Sequence, residues 1–397
     1  MDIMRPGGAA PGRERYPALT GVRAFGAIAI FFDHFPPWAH WHIVINVMAF
    51  FYVLSGFLIV RLYHEQARLT GEWLSKYFIN RFARIYPVYF LLLTLAVCLQ
   101  RDFSAAVLAS NYTLTHALFY HSRLIIQPSW SLTVEECFYA LAPIFMVLAR
   151  RGGFAAAFAL AAALLGVALF VSGLDIRFLH TPAFVLSTTF FGHFAEFFAG
   201  VYLALYVTRC EKSGSLALAG SWRTVAGLAG VSALTLAMLI IYRRPPLDDA
   251  AIVLINNFLM PAPIALLYCG LIREDTLVSR ALSGNLAALL GRSSYSFYLL
   301  HMLVIDHLSL PLLAAMPRYR PAVVLATLIV AWALAIALFT WYEEPVNLAI
   351  RRRLKSKGSP IAVAAAAGST GSTPAGPCAA PARIRGKCRG NIPAARR

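Results

Sequence analysis

Arg23 and His34 stand eleven residues apart inside the first apolar stretch of the chain. At about 100° per residue this is within about 20° of three full helical turns, so both fall on one face, about 16 Å apart along the axis. An ionisable side chain at membrane depth costs about 2.5–3.5 kcal/mol on insertion scales, which makes each one a functional candidate. A histidine there either bonds a neighbouring helix or does acid–base chemistry. The ordinary imidazole pKa of about 6.5 suits a general base near neutral pH. Asp33, its chain neighbour, is placed to pair with His34 or to tune it.

Other residues have chemistry to offer. Arg81 and Arg84 are i,i+3 neighbours that face the same way on a helix, and Arg23 lies at about their depth. Guanidinium forks match phosphate oxygens; the plainer role for such arginines is anchoring at the membrane surface. Trp130, Ser131 and Glu135 open a later apolar run, with Tyr139 one turn beyond Glu135. Glu135 has three available roles: orienting His34, positioning an acceptor hydroxyl, or capping the helix together with Ser131. Tyr298 and His301, with Ser294 below them, form a polar stripe that lines a substrate path or packs against another helix. His193 and Glu196 form an H-x-x-E pair. A metal centre would need a second such pair, so the expectation is an intramembrane hydrogen bond and no metal.

These residues need elements to hold them, and composition says which. The 397 residues are 59% hydrophobic and 13% charged, with mean hydropathy +0.66 and net charge +17. The charge alone would fit a nucleic-acid binder, but a soluble chain could not hide so much apolar surface, so no nucleic-acid partner is expected. Intrinsic disorder is excluded by the same hydrophobicity. The six cysteines lack metal-ligand or disulfide spacing. No cleavable signal peptide is read at the N-terminus.

Spans of about 20 residues are expected near 19–36, 43–60, 85–100, 131–149, 154–172, 183–207, 223–242, 250–272, 289–313 and 321–342. The expected fold is an all-α polytopic bundle of about ten transmembrane helices in a lipid bilayer. Of the 35 Lys and Arg, 28 then lie on the side of the termini and seven on the other, which orients both termini to the cytoplasm. Residues 1–18 are a cytoplasmic segment and 19–350 the membrane domain. Residues 351–397 are a basic, low-complexity cytoplasmic tail expected to be disordered. The 101–130 connection is the longest external loop and is expected to carry a short interfacial helix. No feature of the sequence specifies an oligomer.

The motifs, taken in order, resemble the membrane acyltransferase-3 family, which includes bacterial O-antigen and peptidoglycan O-acetylases. LTGVRAFGAIAIFFDHF (19–35) is similar to its R-x10-H signature, and FFYVLSGFLI (50–59) to its second-span motif. RFARIYPVY (81–89), QPSWSLTVEECFYALAP (127–143), GRSSYSFYLLH (291–301) and EEP (343–345) match later elements. Asp33 and Cys137 depart from residues common in relatives.

The resemblance implies that His34 is catalytic, in direct transfer or through an acyl-histidine, with Glu135 and Asp33 beside it. It implies acyl-CoA, most simply acetyl-CoA, as co-substrate, its phosphates held by Arg23, Arg81 and Arg84 at the cytoplasmic mouth. Trp130, Ser131, Tyr139, Tyr298 and His301 would contact substrate. The implied acceptor is a hydroxyl of a glycan or lipid-linked glycan such as lipopolysaccharide or exopolysaccharide, at the bacterial inner membrane. The rival reading is a transporter or flippase, against which the lack of an internal repeat tells. A family relative turned inactive sensor is the third, opposed by the intact signature residues.

Overall fold

The computed structural model describes residues 15–35, 43–119, 123–174, 178–241 and 248–357, and among these the fold is helical with no sheet. In chain order the helices are α1 (Pro17–His34), α2 (Ile43–Tyr63), α3 (Gly71–Gln100), α4 (Ala105–Tyr112), α5 (Trp130–Ser172), α6 (Pro182–Thr188), α7 (Phe190–Lys212) and α8 (Trp222–Ile241). They continue as α9 (Asp248–Leu254), α10 (Pro261–Arg273), α11 (Leu277–Leu282), α12 (Asn285–Val304), α13 (Leu310–Ala315), α14 (Arg320–Leu338) and α15 (Glu344–Lys357). Arg5, Arg13, Arg177, Arg243, Arg244, Cys378, Cys388 and the tail from residue 358 lie outside the described residues. Residues 1–352 form one compact unit and 353–397 a second.

Eight helical stretches among the described residues are long and apolar enough to cross a membrane. One of them, 127–172, holds two of the expected spans. It is broken at Gly153, whose φ of 79° and ψ of 172° suit only glycine. The 18-residue α1 is not among the eight, because Arg23, Asp33 and His34 dilute its apolar content. These two facts reconcile eight apolar stretches with ten expected runs.

The sequence reading needs one correction in α3. The span expected at 85–100 begins at Gly71, and Pro87 lies inside the helix instead of starting it. A proline is tolerated within a transmembrane helix because its neighbours re-satisfy the freed backbone. As a result Arg81 and Arg84 sit in mid-helix and are rigidly held. The 101–130 connection holds a short helix, α4.

Polar contacts gather chain ends on common faces. Glu211, near the end of α7, accepts hydrogen bonds from Arg15 at 2.7 Å, Tyr16 at 2.9 Å and Arg61 at 2.5 Å. Arg150 donates to the carbonyls of Glu65 and Ala67 at 3.1 and 3.0 Å. Arg273 ties the end of α10 to the carbonyls of Ser215 and Leu216, at 2.6 and 3.0 Å. The start of α1, the ends of α2 and α7 and the Arg150 turn therefore meet, as strict alternation of spans requires.

Inside, α2 and α7 approach so closely that a Cβ on Gly56 would strike the Phe197 carbonyl, and one on Gly200 the Val53 carbonyl. Phe197 stacks on Phe138 and Tyr52 with ring centroids 4.2 and 4.8 Å apart. The H-x-x-E pair is hydrogen bonded as expected, His193 Nδ1 to Glu196 Oε2 at 2.9 Å. Asn256 donates to the other Glu196 oxygen at 3.2 Å. Asn256 lies in a π-helical turn, Ile255–Leu259. Similar turns, Ile305–Ser309 and Phe339–Glu343, extend α12 and α14. π-turns tend to mark functional sites, and the last one carries Glu343. Large apolar side chains such as Phe25, Phe170 and Trp341 are exposed, which suits helices whose outer faces meet lipid.

Candidate active site

The bundle encloses a cavity of about 350 Å³ between α1, α2, α3, α5, α12 and α15. Six arginines line it: Arg23, Arg61, Arg81, Arg84, Arg292 and Arg351. The three expected at an anion site, Arg23, Arg81 and Arg84, are thus brought together from α1 and α3. Arg61, Arg292 and Arg351 were not singled out from sequence. Arg292 opens the 291–301 motif and Arg351 begins a basic run that resembles a surface anchor, so spacing alone did not mark them.

The six differ in what already holds them. Arg84 is ion-paired with the buried Glu343, whose other oxygen accepts from Ser296 at 2.7 Å. Arg61 is shared between Thr208 and Glu211. Arg81 is held by aromatic faces, its guanidinium 5.5 Å from the Tyr63 ring and 5.4 Å from that of Tyr139. The Nε atoms of Arg81, Arg292 and Arg351 are buried with no hydrogen-bond partner among the described residues. Unpaired buried donors are expensive, and the three arginines that carry them all line this one cavity.

The cavity is also lined by Ser55, Glu135, Tyr139, Ser131, Met48 and Tyr298. Glu135 accepts hydrogen bonds from Ser55 and Tyr139. It neither caps α5 nor touches His34. Ser131 is no cap either: its hydroxyl lies 2.6 Å from that of Tyr298, and both reach the Pro128 carbonyl, at 3.0 and 2.7 Å. Met48 Sδ lies 3.7 Å from the Tyr298 hydroxyl.

His34 stands outside this lining. Its Nδ1 is 3.1 Å from the Ile30 carbonyl and 3.3 Å from Nε2 of His301. His301 is wholly buried, one turn beyond Tyr298 on α12, with ring centroids 6.0 Å apart. His34 is half-buried and does not line the cavity. Asp33 is half-buried and is not a hydrogen-bond partner of His34. Trp130 also lies outside the lining and faces His193, with ring centroids 6.1 Å apart. Among the described residues no three His, Cys, Asp or Glu side chains cluster as metal ligands.

The arrangement thus joins an arginine-rich chamber, a polar throat and an imidazole pair. The model of an acyltransferase domain matches residues 16–339, most of the chain and all of these elements up to the last π-turn. The chain belongs to the acyltransferase-3 family. Among similar proteins is the acyltransferase MdmB of Streptomyces mycarofaciens, 26% identical over 331 residues, covering 74% of this chain and 80% of that protein. Another is nodulation protein 10 of Rhizobium leguminosarum bv. viciae, 26% identical over 331 residues, covering 72% and 82%. No solved structure matches. As an acyltransferase-3 member with multiple membrane-spanning helices, this protein is a multi-pass membrane acyltransferase.

Proposed function

We propose that the protein moves an acyl group, most simply acetyl, from cytoplasmic acyl-CoA to a hydroxyl of a cell-surface or exported glycan at the bacterial inner membrane. One observation carries the donor side: the buried, unpartnered Nε atoms of Arg81, Arg292 and Arg351 around one cavity. Coenzyme A presents a diphosphate and a 3′-phosphate, and several guanidiniums lining one cavity match that charge. Arg81 and Arg351 would contact phosphate directly, and Arg84, fixed by Glu343, would add field more than contact. The pantetheine arm would run past Glu135 and Tyr139 toward Tyr298. Both chain ends lie on the cytoplasmic side in this reading, following the 28-to-seven cationic bias.

In the transfer the acceptor hydroxyl attacks the thioester carbonyl. His34 Nε2 takes the hydroxyl proton as the C–O bond forms. The C–S bond breaks, and the same proton passes to the departing thiolate, giving free coenzyme A. Tyr298 and Ser131, at the end of the cavity nearest His34, would meet the acyl carbonyl. Their shared hydrogen bonds must open for the thioester to reach His34. The acyl-histidine route would use the same nitrogen as nucleophile, and labelling of wild type but not of His34→Ala by radioactive acetyl-CoA in the absence of acceptor would reveal it.

Calorimetry on the purified protein in detergent tests the donor side. Wild type should bind acetyl-CoA, and Arg81→Ala should bind it about 10–100-fold more weakly. Equal affinities would return these arginines to a structural role. Mass spectrometry of surface glycans, with and without the gene, tests the acceptor: loss of O-acyl groups is expected, and unchanged glycans would exclude it.

A further inference from the structure

His301 is a buried imidazole in largely apolar surroundings. Phe297 stacks on it with ring centroids 5.8 Å apart and planes 8° from parallel, and Trp332 stacks on Phe297 at 4.1 Å. Its Nδ1 lies 2.7 Å from the Tyr298 carbonyl of its own helix. A carbonyl only accepts, so this Nδ1 carries the proton and Nε2 is left with a lone pair. His34 obeys the same logic: its Nδ1 faces the Ile30 carbonyl at 3.1 Å and must also be the protonated nitrogen. That N–H also faces the lone pair on His301 Nε2 at 3.3 Å. The two rings then form one consistent chain, from His34 Nδ1–H to His301 Nε2 and from His301 Nδ1–H to the Tyr298 carbonyl. Among the described residues the nitrogen left without a hydrogen bond is His34 Nε2.

We propose that His301 is a positioning residue that fixes the tautomer and ring orientation of His34, so that Nε2 is presented as the base. The inference rests on His34 acting as that base. When His34 Nε2 takes the acceptor's proton, its Nδ1–H becomes part of an imidazolium, and the His301 lone pair already faces it. No proton need leave the pair, because the one on Nε2 goes on to the thiolate. The carboxylates near enough to interact electrostatically with His34 are Asp33, its neighbour on α1, and Asp306 in the π-turn after α12. Among the described residues the hydrogen-bond partners of the His34 ring are His301 and the Ile30 carbonyl, and these orient it. His301 is thereby moved from the substrate-contacting role expected from its motif to one that acts through His34.

The test is acetyl-CoA turnover by the purified full-length protein with the surface-glycan fraction of a strain lacking the gene. His301→Leu should lower kcat about 100-fold or more, with KM for acetyl-CoA unchanged within about twofold. His301→Gln places an amide oxygen where Nε2 stood and should restore kcat to within about tenfold of wild type. In a His34→Ala background, His301→Leu should cost nothing further. If the Leu variant does not fold, as judged by its melting temperature, His301→Asn replaces it: its shorter amide reaches the Tyr298 carbonyl but not His34. An active His301→Leu beside an inactive His34→Ala, or Gln as poor as Leu at equal melting temperature, overturns the inference alone. Full turnover by His34→Ala overturns the base assignment and this inference with it.

Discussion

Arginines in the chamber are not equivalent, and substitutions at single residues should separate them. Arg84 and Glu343 are a buried pair, so removing one partner strands the other charge, at about 3–5 kcal/mol. Glu343→Gln should therefore lower the melting temperature in detergent more than Arg351→Ala does. Arg351, with no described protein partner for its Nε, should instead lose acetyl-CoA affinity by about tenfold or more while the fold persists. A calorimetric titration paired with a melting curve for each variant checks both. At this scale much of the site was legible: Arg23, Arg81, Arg84, Ser131, Glu135, Tyr139 and Tyr298 do converge on one cavity. What spacing could not convey was pairing between distant helices. Glu343 neutralises Arg84 from α14, and His301 reaches His34 from α12, across sequence gaps that no local pattern encodes.

Elements hold these residues through close helix contacts. The α2–α7 pair rests on Gly56 and Gly200, each against a backbone carbonyl. Gly200→Leu should destabilise the protein by at least about 1–3 kcal/mol through overpacking. Gly166→Ala, in α5 with open space around the site, should be neutral or gain up to about 1 kcal/mol. Thermal unfolding in detergent distinguishes the two. The helical runs themselves were readable, since hydropathy directly reports which segments can leave water. Boundaries failed where polarity and structure part company. Tyr86-Pro87 resembles a helix start, yet α3 runs through it. The Trp130–Glu135 segment resembles a capping motif, but its polar groups turn inward to Ser55, Tyr139 and Tyr298.

At the scale of the whole molecule, two consequences concern environment and orientation. His116, in the connection between α4 and α5, is buried with Nε2 3.2 Å from the Ser129 hydroxyl. Burial pushes its imidazole down to about 4. The unfolded chain therefore binds a proton there that the folded one refuses. Stability from this residue is complete above about pH 6.5 and is lost as pH falls toward 4, by at most about 3 kcal/mol. Melting temperature should drop between pH 6.5 and 5, and drop less in His116→Gln. The cationic bias predicts that a fluorescent protein fused at the C-terminus lights up in the cytoplasm, and that alkaline phosphatase fused in the 101–130 connection is active outside. The opposite pattern would invert the proposed donor side. The +17 charge, which resembles a nucleic-acid footprint in isolation, in the proposed function divides between orientation and a chamber for an anionic donor.

The proposed transfer depends on His34. The measurement that bears on it most directly is transfer of radiolabelled acetyl from acetyl-CoA to the surface-glycan fraction, by purified wild type and His34→Ala of equal melting temperature. Wild type should transfer label, and His34→Ala should do so about 100–10,000-fold more slowly while binding acetyl-CoA with unchanged affinity. Transfer at the wild-type rate by the variant would contradict it.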